Sequence, residues 1–157
     1  GVSTYTIEEI KKIIKGFKKL NVIMLPFNLL DQRPLDTKIL NKLKKKNIEI
    51  YARSIFLQGL LLMNLKEIPK KFYKWHEKFK DLDLLSKRLK MKKFEICLRY
   101  ALSNTYLDKV VVGLDNHEQL RKLITIANKG YLKLNVKKFK SNNEINLINP
   151  SKWPSLK

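Results

Sequence analysis

Fifteen residues constrain this chain most: Ile48–Leu62, reading IEIYARSIFLQGLLL. From Ile48 to Ser54 the run is β-branched and apolar with few interruptions, which predicts a strand. Runs this continuous suit a strand covered on both faces, as in parallel sheets. Ser54-Ile55-Phe56-Leu57-Gln58-Gly59 follows at once, a small polar residue at the strand's C-terminal end leading to a glycine. In parallel α/β folds that end is where ligands sit.

The rest of the chain repeats the unit. Gly1–Thr4 reads as a short strand, and Val22–Leu25 as a second that Pro26 stops. Thr6-Ile7-Glu8-Glu9 is a capping box opening a helix whose stripe is Ile7, Ile10, Ile13, Ile14 and Phe17. Pro26–Pro34 is a loop holding Asn28, Asp31, Gln32 and Arg33. Asp36 or Thr37 caps the next helix, which buries Ile39, Leu40 and Leu43 and ends in three lysines and Asn47, a left-handed stop. After Ile48–Ser54 a long crossover carries Phe72, Trp75, Phe79 and Leu82, then Phe94, Cys97, Leu98, Ala101 and Leu102, at helical spacings that mark core. Lys109–Gly113 is the fourth strand. Asp115 or Asn116 caps a last helix with Leu120, Leu123, Ile124 and Ala127 inward, closed by Asn128-Lys129-Gly130. Tyr131–Lys157 is a polar, irregular tail with Trp153 as an anchor.

Strand then helix, four times, gives a curved parallel sheet. The expected fold is therefore α/β, half of a (β/α)8 TIM barrel. A complete barrel takes roughly 250 residues, and this chain has 157. We expect residues 1–157 to form a single partial domain, with 131–157 as its tail. The start at Gly1, in what already reads as a strand, leads us to expect a segment upstream.

Composition narrows the function classes. The net charge is +20, yet only five of the 34 basic residues are arginine, and lysines are spread through every expected helix. Dedicated nucleic-acid readers lean on arginine for bidentate contacts, so a solvated lysine surface is expected and no specific nucleic-acid partner. The longest apolar stretch, around Leu57–Met63, is far short of the ~18 residues of a membrane span, so no membrane partner is expected. The lone Cys97 excludes an internal disulfide, reads as a buried small hydrophobe, and fits a cytoplasmic compartment. His76 and His117 sit in polar helical surroundings with no metal-ligand spacing.

The loop Ser54-x-x-x-Gln58-Gly59 resembles the loop after the seventh barrel strand of the aldo/keto reductases, a common form of that family's cofactor loop. Gly1-Val2-Ser3 resembles the Gly-x-Ser of strand five, with Thr4 where Asn is usual. Phe27-Asn28 resembles the aromatic-Asn pair of strand six, with Met24 at the usual glutamine position. Arg53 replaces an aromatic residue before the serine. The likeness covers nearly the whole chain, aligning it with strands five to eight.

That resemblance implies a nicotinamide dinucleotide, NAD(P)H, as cofactor with no metal, and a small carbonyl substrate in the full-length enzyme. It implies that Ser3 contacts the nicotinamide carboxamide and that Arg53 stacks on the nicotinamide ring. Ser54, Phe56, Gln58 and Gly59 would line the pyrophosphate side, where a small hydroxyl and a glycine let backbone approach phosphate. Gly113, Asp115 and Asn116 would form a second phosphate site at a helix start, with Gln119 facing adenine. The family's catalytic Asp, Tyr, Lys and His come from strands two to four, which have no counterpart here, so no catalytic residue is assigned. The chain alone is then expected to be inactive, and to need a missing N-terminal half-barrel or self-association. Two other classes compete: a non-catalytic half-barrel that binds a nucleotide or a subunit, and a lysine-rich nucleic-acid binder.

Overall fold

The computed structural model describes residues 1–153. Four strands, β1 (Val2–Ser3), β2 (Val22–Pro26), β3 (Glu49–Arg53) and β4 (Lys109–Val110), pair in that order and all parallel. Helices α1 (Ile7–Gly16), α3 (Ile39–Lys45), α4 (His76–Leu89), α5 (Lys93–Leu102) and α6 (His117–Ala127) lie between and after them. Two short helices, α2 (Arg33–Asp36) and α7 (Ile145–Ile148), complete the set. This is half of a (β/α)8 barrel, with four parallel strands each followed by helix.

Strand alternation decides which sheet face is covered. Ile23 and Leu25 of β2, and Ile50 and Ala52 of β3, join Ile7, Ile10, Ile39, Leu40, Leu43, Leu98 and Ala101 from the helices in one core cluster. On the other face, register lines up Ser3, Met24, Tyr51 and Lys109 in one row, half-buried or exposed. The expectation that β3 is covered on both faces therefore fails among the described residues. Its apolar look came from Ile48, Ile50 and Ala52, all on one side. Tyr51 meets the open side by donating to Glu49 Oε2 at 2.9 Å, with Lys109 Nζ 5.0 Å from its ring centre.

A second cluster holds the crossover. After β3 the chain descends through 3₁₀ turns at Leu60–Leu62, Leu65–Glu67 and Lys70–Trp75 into α4. Phe72, Trp75, Phe79 and Leu82 are all buried there, as core spacing implied. Burying each such side chain fully is worth about 1.5–3 kcal/mol. Cys97 is buried in the same cluster, and desolvation pushes its thiol up to about 12. It is a packing residue, unreactive at neutral pH.

Helix ends follow the sequence in part. Thr6 Oγ1 accepts from Glu9 N at 3.1 Å while Glu9 Oε2 accepts from Thr6 N at 3.3 Å, the expected box. Asn47 and Gly130 take the left-handed conformation expected of them. Neither Asp36 nor Thr37 caps α3, however. Pro34 starts α2 first, Thr37 Oγ1 donates back to Arg33 O, and Lys38 steps into α3 with φ 52°. Strand β4 is shorter than Lys109–Gly113, adding only the Val111 N to Ala52 O bond beyond Val110. Phe17 falls past the end of α1 and is exposed.

Two further expectations are corrected at the C-terminal side. The stripe of α6 is not buried: Leu120 is 43% and Ile124 50% exposed, while Leu123 and Ile126 pack inward. Nothing among the described residues lies beyond β4 to cover the outer part. The tail, in contrast, is less polar than it reads. Phe139, Leu147 and Ile148 bury into the crossover cluster. Trp153 does anchor it, with Nε1 donating to Leu147 O at 3.2 Å and its ring edge-on to Phe72 at 4.9 Å. The remainder of the expected tail, 154–157, lies outside the described residues.

Candidate functional site at the C-terminal ends of the strands

The loop after β3 has an unusual backbone. Ser54 has φ 59°, and Leu57, Gln58 and Gly59 follow one another at 49°, 53° and 82°. Left-handed conformation costs a side-chain-bearing residue roughly 1–2 kcal/mol, so Leu57 and Gln58 hold it only because the turn is pinned. Leu57, Leu60 and Leu61 are buried in the crossover cluster beneath it. Leu57 N donates to Ser54 O at 2.9 Å and Leu60 N to Leu57 O at 3.0 Å. The amides of Ile55, Phe56, Gln58 and Gly59 donate to no acceptor among the described residues. Free amides along such a turn form a concavity that accepts anions.

Asn28, in the loop after β2, ties this turn down. It is buried, its Nδ2 donates to Ser54 O at 3.1 Å, and its Oδ1 accepts from Leu30 N and Asp31 N at 2.9 Å each. Asp31 in turn holds Arg33 in a two-point pair, Nη2–Oδ2 2.7 Å and Nε–Oδ1 2.8 Å. Arg33 Nη2 reaches Tyr5 O at 3.2 Å.

Arg53, the last residue of β3, connects the two edges of the site. Its Nη2 donates to Thr4 O at 3.0 Å and its Nη1 to Ser54 Oγ at 3.1 Å. The guanidinium carbon lies 4.3 Å from the centre of the Tyr5 ring, a cation–π distance. Its Nε is buried with no acceptor. Thr4, which stands where Asn is usual, has its N and Oγ1 both donating to Met24 O at 2.9 and 3.3 Å.

Beyond β4 the chain turns into α6. Asn116, not Asp115, is the N-cap of α6, its Oδ1 accepting from Gln119 N at 3.0 Å. Gln119 answers by accepting from Asp115 N at 3.1 Å and donating to Asp115 Oδ2 at 3.2 Å. Its amide is thus closed onto Asp115. A Cβ added at Gly113 would meet nothing within 4 Å, and neither would one at Gly59. Both glycines border open space.

Chain order places most of the sequence-derived residues at one end of the sheet. Ser54–Gly59 and Gly113–Gln119 leave the same ends of paired strands β3 and β4, and Arg53 links the first to the end of β1, where Ser3 sits. Phe56 is the exception, since its ring stacks on Phe94 at 4.8 Å. The contacts that sequence reading missed are Tyr5 as the ring under Arg53 and the Asp31–Arg33 pair. Tyr5 precedes a capping box and carries no pattern of its own. The Asp-x-Arg spacing is too common to single out.

The sequence model of the aldo/keto reductase family matches residues 1–145. The chain belongs to that family. No curated protein sequence matches this one. Among solved structures, this aldo/keto reductase chain resembles the holo form of an aldo-keto reductase from Bacillus halodurans. The TM-score is 0.63 at 17% identity, over 88% of this chain and 47% of that one. A thermostable aldo-keto reductase solved with the inhibitor epalrestat matches at TM-score 0.60 and 17% identity, over 91% and 47%. The glycerol dehydrogenase of Gluconobacter oxydans matches at 0.52 and 19%, over 82% and 48%. The chain thus spans about half the length of the structures it resembles. Membership makes it part of an oxidoreductase family that typically uses nicotinamide cofactors.

The side chains and backbone present fit such a cofactor. Its pyrophosphate needs unpaired donors beside small residues, and the amides of Ile55, Phe56, Gln58 and Gly59, with the open glycines Gly59 and Gly113, offer them. Among the described residues no group of His, Cys, Asp or Glu comes together to hold a metal. None of their helices is long and apolar enough to cross a membrane.

Proposed function

We propose that this chain is the cofactor-binding half of an aldo/keto reductase that moves hydride between NAD(P)H and a small carbonyl or alcohol. One observation carries the reading: the left-handed turn at Leu57–Gly59, whose neighbouring amides are unpaired at the C-terminal end of a parallel strand. In this reading Ser54, Gln58 and Gly59 bind the pyrophosphate, Gly113 and Asn116 bring the α6 amides to a second phosphate edge, and Ser3 and Arg53 flank the nicotinamide. Reduced nicotinamide supplies the hydride when bound. The chain's own residues orient it and balance its charge. Asp115 beside Gly113 disfavours a 2′-phosphate and can accept from a ribose hydroxyl, which favours NAD or dual use over NADP alone. Gln119 reaches adenine by releasing Asp115.

The test is a fluorescence titration of NADH and NADPH against the chain and its Gly113→Glu variant. Added bulk and a negative charge at an open glycine are expected to weaken binding tenfold or more, on the order of 1.4 kcal/mol. Unchanged titration would remove the site. A second reading, a half-barrel that serves as a subunit-interaction module, is favoured by the uncovered Leu120 and Ile124 of α6.

A further inference from the structure

Arg53 carries a charge that its surroundings do not cancel. Among the described residues it makes no ion pair; its donors go to a carbonyl (Thr4 O) and a hydroxyl (Ser54 Oγ), both neutral, and its ring partner Tyr5 is neutral too. A guanidinium stays protonated in proteins, so a full positive charge is held fixed at the mouth of the site. The nearby Arg33 differs, because Asp31 neutralises it. Register places Arg53 beside Pro26, on the sheet face opposite Ala52, at the end from which the Ser54–Gly59 turn departs.

Oxidised and reduced nicotinamide dinucleotides share the same phosphates, ribose and adenine. They differ by one positive charge, which sits on the oxidised ring. Donors that bind the phosphates act equally on both forms, whereas a charge near the ring separates them. From Arg53 we infer a redox-form selector: its fixed guanidinium makes this site prefer the neutral reduced ring and reject the cationic oxidised one. This rests on the cofactor reading above and deepens it, since it assigns the site a preferred form of the cofactor. A site of this kind holds NAD(P)H and releases NAD(P)⁺ more readily, at the cost of making the bound reduced ring a weaker hydride donor. The aromatic usual at this position in the family stacks without a charge, so the preference belongs to this chain's own residue.

The experiment measures dissociation constants of NADH and NAD⁺ for the chain by equilibrium dialysis, at low and high salt. We expect the reduced form to bind at least tenfold tighter, equivalent to about a 30 mV rise in the bound two-electron potential. The general field of a +20 chain also favours the more anionic reduced form. That field is screened within a Debye length, ~10 Å at 0.1 M salt, so a local Arg53 effect persists at high salt while the general one fades. Arg53→Gln and Arg53→Phe should bring the ratio within about threefold, the phenylalanine retaining NADH affinity through stacking. Arg53→Lys should keep most of the preference. Circular dichroism confirms folding of each variant, and the phenylalanine and lysine forms decide the matter if the glutamine form does not fold. An unchanged ratio in Arg53→Gln and Arg53→Phe, or a wild-type ratio below threefold, overturns the selector and leaves cofactor binding standing. Binding of neither form by the wild-type chain overturns both.

Discussion

Replacing Asn28 with alanine tests how the candidate site is held. Asn28 is buried and its side chain makes three bonds, donating to Ser54 O and accepting from Leu30 N and Asp31 N. Leu30 and Asp31 are themselves buried. Asn28→Ala leaves the Leu30 and Asp31 amides without partners, while Ser54 O keeps its bond from Leu57 N, and each buried unsatisfied group costs about 1–3 kcal/mol. Water entering the space relieves part of this, so we expect a destabilisation of ~2–4 kcal/mol, a large share of a typical margin of 5–15 kcal/mol. Urea unfolding reads the total, and amide exchange at Leu30 and Asp31 reads the location. Because Asn28 tethers Ser54, NADH affinity should fall in step. Asn28→Asp keeps the acceptor and loses the donor, so it should spare the Leu30 and Asp31 amides yet loosen Ser54. A loss below about 1 kcal/mol, with exchange at Leu30 and Asp31 unchanged, would refute the claim that Asn28 organises the site.

Other expectations are independent of that tether. Gln58 is exposed and left-handed, so Gln58→Gly should stabilise the chain by about 1 kcal/mol, read as a higher urea midpoint with unchanged slope; a destabilisation would show that the amide group holds the turn. Burial pushes the Asp108 carboxyl up, but the bonds from Lys44 Nζ at 2.5 Å and Ile50 N at 2.7 Å outweigh it and hold its pKa below the usual range. Its contribution is therefore present in full above the ordinary value near 3.9 and fades as pH falls through the depressed one. Asp108→Asn should lower stability at pH 7 and flatten the acid limb of the stability profile, and identical limbs would contradict this. On α6, Leu120→Lys with Ile124→Lys should change stability by no more than about 0.5 kcal/mol and reduce any self-association seen by sedimentation, whereas a large stability loss would mean that this face is covered within the chain.

Local chemistry made much of this protein legible from its residues. Four β-branched runs separated by amphipathic helices specify parallel strand-helix units, because period and handedness leave few other arrangements. The Thr6–Glu9 box, the left-handed stops at Asn47 and Gly130 and the buried Phe72–Leu82 stripe all follow from interactions within one or two turns. So does the placing of the candidate loop, since a serine and a glycine after a strand need only chain order. What depended on distant partners was hidden. The α6 helix is amphipathic by sequence, but whether Leu120 and Ile124 are buried depends on what lies beyond β4. The tail reads as polar because its few apolar residues are scattered, yet they meet in the crossover cluster 69 residues away in sequence, as Trp75 Nε1 donating to Glu144 at 3.0 Å shows. Arg53 illustrates the division best. Its residue type and place at the end of β3 are written in the chain, but two of its neutral partners, Thr4 and Tyr5, follow β1, which only sheet pairing through β2 brings near the end of β3, and those partners leave its charge uncancelled.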